Sequence, residues 1–332
     1  MSAVAEASAA GKPTGPRARW QFWVALFDRR EAATSLACFR IAVGLVAIYS
    51  LLDVGLTGMI DVLWVDYHSG GYADLGTGNW LLTLLGGATP EAVRVLYAAA
   101  LGSAVLVTVG LAGRMSALVA GQTYLALVFV NGNATGGYDA LITNALWLLV
   151  LGDATRTLSL DCRLRTGRFR SDLHIPAWPR YLAVFQMVVM YTCTGLHKLS
   201  SAWLPMGGYS ALYDVLQEPT WRRFDMRWTA HVYPLTQLAT ATTWFFEVGA
   251  PLLLVWFYFR HTRERPGRAR AWFARRDLRF PFVAIGLVLH LGILVTLNVG
   301  PFSWAAIAYY LCLWHPDELA GARAWTMRRA ER

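Results

Sequence analysis

Long apolar stretches separated by short, charged connections dominate this chain, recurring roughly at 32–54, 92–112, 114–132, 138–155, 179–199, 233–258, 280–298 and 301–315. An untilted helix needs about 20 apolar residues to cross a hydrocarbon layer about 30 Å thick, and several of these stretches are near or below that length. Within a bilayer the backbone must satisfy its own hydrogen bonds, which favours helices. The pattern therefore predicts an all-α, polytopic transmembrane helical bundle of about eight spans. Ahead of the first stretch, RWQFWVALFDRR alternates aromatic bulk with arginine, as expected of a helix lying in the interface or leading into the first span.

Composition agrees with the pattern. The chain of 332 residues is 56% hydrophobic and 15% charged, with 15 tryptophans and a mean hydropathy of +0.38, values of an integral membrane protein. The spans nearly consume its length, so one membrane domain is expected over 20–320. Residues 1–19, rich in Ala, Gly, Pro and Ser and lacking the apolar centre of a secretory signal, read as a disordered cytoplasmic tail, and 321–332 as a basic cytoplasmic tail. Cys38, Cys162, Cys193 and Cys312 lie far apart; they read as small core residues, without the spacing of a metal or redox site.

The formal net charge of +9 is unevenly distributed. Arginines crowd the connections at 156–180 and 260–279, whereas the connection at 55–91 carries Asp61, Asp66, Asp74 and Glu91. Cytoplasmic loops are enriched in Lys and Arg, so both termini are expected to be cytoplasmic, with an even number of spans and a multi-pass location in the cell membrane, the bacterial inner membrane. The basic charge follows from that topology. Nucleic acid is a poor partner, since no binding motif accompanies the arginines; anionic membrane lipids suit the Arg-rich loops.

Against this background a few polar residues stand out. Only Lys12 and Lys198 among the 30 basic residues are lysines, and Lys198 lies in the apolar FQMVVMYTCTGLHKL. Arginine keeps its proton at any accessible pH, whereas lysine can release it and act as a base or nucleophile. The same residue could equally reach from a helix end to the headgroups. Arg40, in LACFRIAVGL, needs a partner inside its span, and Glu247, in TTWFFEVGAPLLLVW, is the obvious one; such a pair would leave Lys198 without a counter-ion. The expected topology puts Lys198, Tyr138, Asp139, Glu247 and His290 where one outward-opening cavity could gather them. His290 could instead only bond to a neighbouring helix.

The segments FRIAVGL, GDATRTLSLD, YTCTGLHKLSSAWLPMGGYSALYDVL, EVGAP and LHLGILVTLNVGPFSWA, in this order and spacing, resemble the HTTM domain, the membrane domain shared by vitamin K-dependent gamma-glutamyl carboxylases and many bacterial homologues. The resemblance covers about 20–320. In the carboxylases the tyrosine-to-lysine segment ends in a lysine pair, the second being the base that deprotonates reduced vitamin K; here the pair is His197–Lys198. The resemblance implies Lys198 as general base, a reduced naphthoquinone as cofactor, dioxygen as co-reactant, and carboxylase/epoxidase-like lyase or oxidoreductase chemistry. His290 matches a family histidine. Tyr138, in Gly136–Gly137–Tyr138, replaces the histidine of an Asn-Asn-His triplet, and no large extramembrane substrate-gripping domain is expected, so a lipid-like substrate is favoured over processive carboxylation of a protein.

Two readings of other classes compete. A non-enzymatic accessory protein, for example in maturation of a small secreted peptide, predicts Lys198 at the headgroups or paired with Asp139. Electron transfer through a haem held by His197 and His290 requires the two histidines to face each other at one depth.

Overall fold

The structure, a computed structural model, describes residues 15–75, 79–262 and 266–319. Of the predicted tails, 1–19 and 321–332, residues 1–14, with Lys12, and 321–332 lie outside the described residues, while from Pro16 the first one is helical and not the disordered tail expected. Helix α1 (Pro16–Phe27) runs into a short strand, β1 (Arg30–Ala32), and then α2 (Thr34–Leu56). Two short helices, α3 (Ile60–Trp64) and α4 (Trp80–Leu84), precede the hairpin of α5 (Pro90–Val109) and α6 (Gly113–Val128). The chain continues through α7 (Gly137–Leu151), α8 (Leu160–Thr166), β2 (His174–Pro176) and α9 (Trp178–His197). It ends with α10 (Ala211–Gln217), α11 (Tyr233–Val248), α12 (Leu252–His261), α13 (Arg268–Arg275), α14 (Arg279–Thr296) and α15 (Phe302–Tyr310).

Helices occupy all eight stretches marked by hydropathy. Three of the described helices, α2, α5 and α14, are long and apolar enough to cross a membrane alone, and the bent pair at 227–248 and 252–260 makes a fourth. That pair meets at 48°, where Gly249, Ala250 and Pro251 interrupt the helix; proline removes a backbone donor and crowds the preceding turn. The tight α5–α6 turn is built by Gly110, whose φ of +71° suits glycine.

Helix α5 packs against α2 and α6, α6 against α7, α9 against α11, and α14 against α15. The core between them includes Phe39, Tyr124, Leu127, Leu146 and Tyr309. At one end of the bundle β1 and β2 pair antiparallel, with Glu31 opposite Ile175, which holds the start of α2 beside the start of α9. Arg180 of α9 clamps this ribbon. Its Nε and Nη2 each donate to a Glu31 carboxylate oxygen at 2.6 Å, and its Nη1 to the Cys312 carbonyl at 2.9 Å. Arg279, also buried, is held by Asp277, Glu318 and the Leu313 carbonyl. The connections α2–α3, α6–α7, α9–α10 and α14–α15 lie at the opposite end. There Arg223 and Trp221 tie the 218–226 loop to the end of α14: the Arg223 amide donates to the Thr296 carbonyl and the Asn298 amide to the Trp221 carbonyl.

Candidate functional site: an ion pair beside a tyrosine–histidine chain

Lys198 caps the C-terminus of α9, where the helix gives way to two short 3-10 turns. Its Nζ donates to Oε2 of Glu247, near the end of α11, and lies 4.4 Å from the ring centroid of Trp203. Glu247 is buried and Lys198 largely covered. Gly195 makes the approach possible: a Cβ there would come within 2.9 Å of the Glu247 Cβ and 3.0 Å of the Val248 amide. The expected Arg40–Glu247 pair is not formed, and neither is a Lys198–Asp139 pair. Lys198 therefore has a counter-ion and is not the uncompensated amine that an Arg40–Glu247 pair would have left. Removing one partner of such a pair leaves the other charge stranded, the usual reason buried pairs resist single substitution.

One helical turn before Gly195, Tyr191 centres a buried hydrogen-bonded chain. Its hydroxyl is 2.6 Å from Nε2 of His290 and 2.7 Å from the hydroxyl of Tyr310. Phe246, stacked on Phe282 at 4.5 Å between ring centroids, meets Tyr191 edge-on at 4.9 Å. His290 is fully buried, and its Nδ1 has no partner among the described residues. A tyrosine hydroxyl has one proton and can accept as well, so the chain can run in either of two directions, set by the His290 tautomer. With the imidazole proton on Nδ1, Tyr310 donates to Tyr191 and Tyr191 to Nε2. With it on Nε2, both bonds reverse and the Tyr310 proton is left free.

The other predicted residues belong elsewhere. Asp139 is buried against Tyr124, whose hydroxyl donates to Oδ1 at 2.6 Å, and the Gly136 amide donates to Oδ2 at 2.8 Å. Ser50 completes this group at 2.8 Å from the Tyr124 hydroxyl. Tyr138 is half-buried against Gly300, where an added Cβ would meet its ring at 3.1 Å. Arg40, about two turns into α2, is only about 9 Å along the helix from the ribbon end. It serves the α5–α6 turn there: Nη2 donates to the Leu158 carbonyl at 2.6 Å, and a Cβ on Gly110 would lie 1.5 Å from Nη1. His197 is exposed and bonds through Nδ1 to its own helix, at the Cys193 carbonyl, whereas His290 is buried, so the two share no site. All four cysteines are free; Cys162 and Cys312 are buried, as expected of core residues, but Cys193 is exposed.

Of the predicted set, then, the structure joins Lys198 to Glu247, brings His290 near them through Tyr191, and leaves Tyr138 with Asp139 and Arg40 apart. Tyr191, Tyr310 and Trp203 escaped the sequence reading. Tyr191 had a signal, since it precedes Lys198 by seven residues and so lies on the same face of α9; Tyr310 and Trp203 resemble the many other aromatic residues of the chain.

A helical bundle with membrane-length apolar helices and charged groups enclosed between them is a membrane protein. Residues 28–266 match the HTTM domain model, and the chain belongs to the HTTM family. No curated protein and no solved structure matches it.

Proposed function

We propose that this HTTM protein is a multi-pass protein of the cell membrane in which Lys198 and Glu247 form a proton-transfer centre, with Lys198 as general base toward a quinol or lipid-like donor. The observation that carries the reading is the enclosed contact of Lys198 with Glu247 at the point where α9 unwinds. Helices at eight apolar stretches and arginine-rich connections at the ribbon end support eight spans, with both termini and the ribbon end cytoplasmic. Anionic lipids are the natural partners of Arg268, Arg270, Arg275 and Arg276 on and beside α13.

The chemistry follows from the pair. When the proton between Nζ and Oε2 rests on the carboxylate, Nζ is a free amine and accepts a proton from a donor hydroxyl; the ammonium formed then steadies the donor's anion. Excluding water keeps both transfers inside the site. A reduced naphthoquinone, implied by the family resemblance, fits these residues, because Lys198 supplies the proton acceptor and Glu247 the carboxylate that holds the proton while the amine is free. When bound, it supplies an ionisable hydroxyl and reducing power for dioxygen. Neither Tyr138 nor Arg40 has a role in this centre.

The test is oxygen uptake by the protein in nanodiscs containing a reduced naphthoquinone. Lys198→Met should slow uptake by about 10²–10⁴-fold, the usual contribution of a general base, and Lys198→Arg should not restore it. Equal uptake by wild type and Lys198→Met overturns the reading. A specific observation favours one alternative: the Lys198 amine is already engaged by Glu247 and the Trp203 face, as in a structural clamp within a non-enzymatic accessory protein, for instance one serving maturation of a secreted peptide. Lys198→Met would then lower the unfolding temperature with no uptake to lose.

A further inference from the structure

A pocket of about 580 Å³ opens between α2, α14 and α15. Ala42, Leu45 and Tyr49 form one wall, Val283 and Leu287 a second, and Trp304 and Tyr310 are among the residues of the third. The volume is that of a small-molecule site. No lysine, arginine, aspartate or glutamate is among the lining residues. Two of the three walls, α2 and α14, are helices long and apolar enough to cross a membrane, so the mouth of the pocket faces lipid. Leu45, Tyr49 and Trp304, each between 43% and 53% exposed, mark that mouth. Tyr310, by contrast, is buried, with its hydroxyl against Gly286, where a Cβ would lie 2.0 Å from it.

Tyr310 differs from the rest of the lining because it ends the chain through Tyr191 to His290. With one hydrogen bond made, its hydroxyl retains a further capacity, as acceptor in one direction of the chain and as donor in the other. The other end, Nδ1 of the fully buried His290, is unpartnered among the described residues. A buried chain with spare hydrogen-bonding capacity at both ends, one of them on a residue that lines an apolar pocket, suits a guest with an apolar body and one neutral polar group. A charged headgroup would meet no counter-charge there and would lose its hydration.

We propose that this pocket binds an uncharged, long-chain membrane lipid head-first, its hydroxyl or carbonyl bonded to Tyr310, with the direction of the Tyr310–Tyr191–His290 chain matched to the head. A carbonyl head takes the Tyr310 proton and sets the imidazole proton on Nε2; a hydroxyl head can donate to Tyr310 and sets it on Nδ1. The proposal does not rest on Lys198 acting as a base. It assigns roles to Tyr310, Tyr191 and a pocket that the Lys198–Glu247 centre does not use.

The test uses the full chain in nanodiscs doped with an eighteen-carbon fatty alcohol bearing a diazirine near its hydroxyl, with the matching fatty acid ionised as control. Photolysis and peptide mapping should place alcohol adducts at 42–49 and 304–311, saturably and with competition by unlabelled alcohol. The acid should label there no more than on the outer face of α5, around 95–106. Tyr310→Phe, which keeps the ring and its packing, should weaken labelling about three- to tenfold, the worth of one hydrogen bond. Ala42→Phe, which fills the pocket, should abolish it. Labelling that does not saturate, that is equal for alcohol and acid, or that is indifferent to Tyr310→Phe overturns the proposal. Should Ala42→Phe fail to fold, the Tyr310→Phe comparison decides alone.

Discussion

Asp66 shows what a single side chain does at the end of the bundle opposite the ribbon. It lies in the connection between α3 and α4, where its Oδ2 accepts from the Leu75 amide at 2.8 Å and its Oδ1 from the His68 amide at 2.9 Å. Those two amides, Leu75 foremost, hold its carboxyl below the usual carboxylate range. A depressed folded-state value means that its support of the loop is complete above the unfolded value of about 3.9 and is lost as pH falls through the lower, folded one. Hydrogen exchange at Leu75 and His68, corrected for intrinsic rates, should therefore accelerate on acidification below about pH 4, and Asp66→Ala should show the fast rates at every pH. Protection that persists in the variant would refute this. Asp225, held down to about 2 chiefly by Arg227, is a more exposed case of the same depression.

Between elements, the clearest dependence is that of the ribbon on its clamp. Arg180 and Glu31 are both buried, and two bonds of 2.6 Å join the guanidinium and the carboxylate. Glu31→Ala should cost about 3–5 kcal/mol, because a buried guanidinium is left uncompensated, while Glu31→Leu with Arg180→Leu should cost less than Glu31→Ala alone. Thermal unfolding in one detergent compares them, and a double variant less stable than Glu31→Ala would disprove the argument. Positions along the helices were legible in the sequence, because a run of apolar residues measures length directly; the break at Pro251, inside a stretch read as one span, was not marked. Which helices touch was not legible either. Arg40 and Glu247 were matched as the charges within spans, but α2 packs against α5, α7 and α15 while α9 packs against α11, so the nearest cation to Glu247 is Lys198. Hydropathy gives depth along each helix and carries no record of azimuth or neighbours, and for that reason the Tyr191–Tyr310 bond, 119 residues apart, left no trace.

For the molecule as a whole, the proposed orientation places the ribbon end in the cytoplasm and the Lys198 end outside. Single cysteines placed at Arg168 and at Asp74, in a background lacking the four native cysteines, should answer oppositely to a membrane-impermeant thiol reagent added to intact cells: position 74 labels and position 168 labels only after lysis. The reverse result would invert the protein. The ribbon adds a consequence for synthesis. Because β1 pairs with β2 and Glu31 with Arg180, the segment from 30 to 180 is closed at its base by contacts between its own two ends. Four of the eight principal helices can thus be fastened into a ring while α11–α15, which supply the acid of the ion pair and two members of the tyrosine–histidine chain, are still being made. The scaffold can close before the residues of the proposed proton-transfer centre are laid against it.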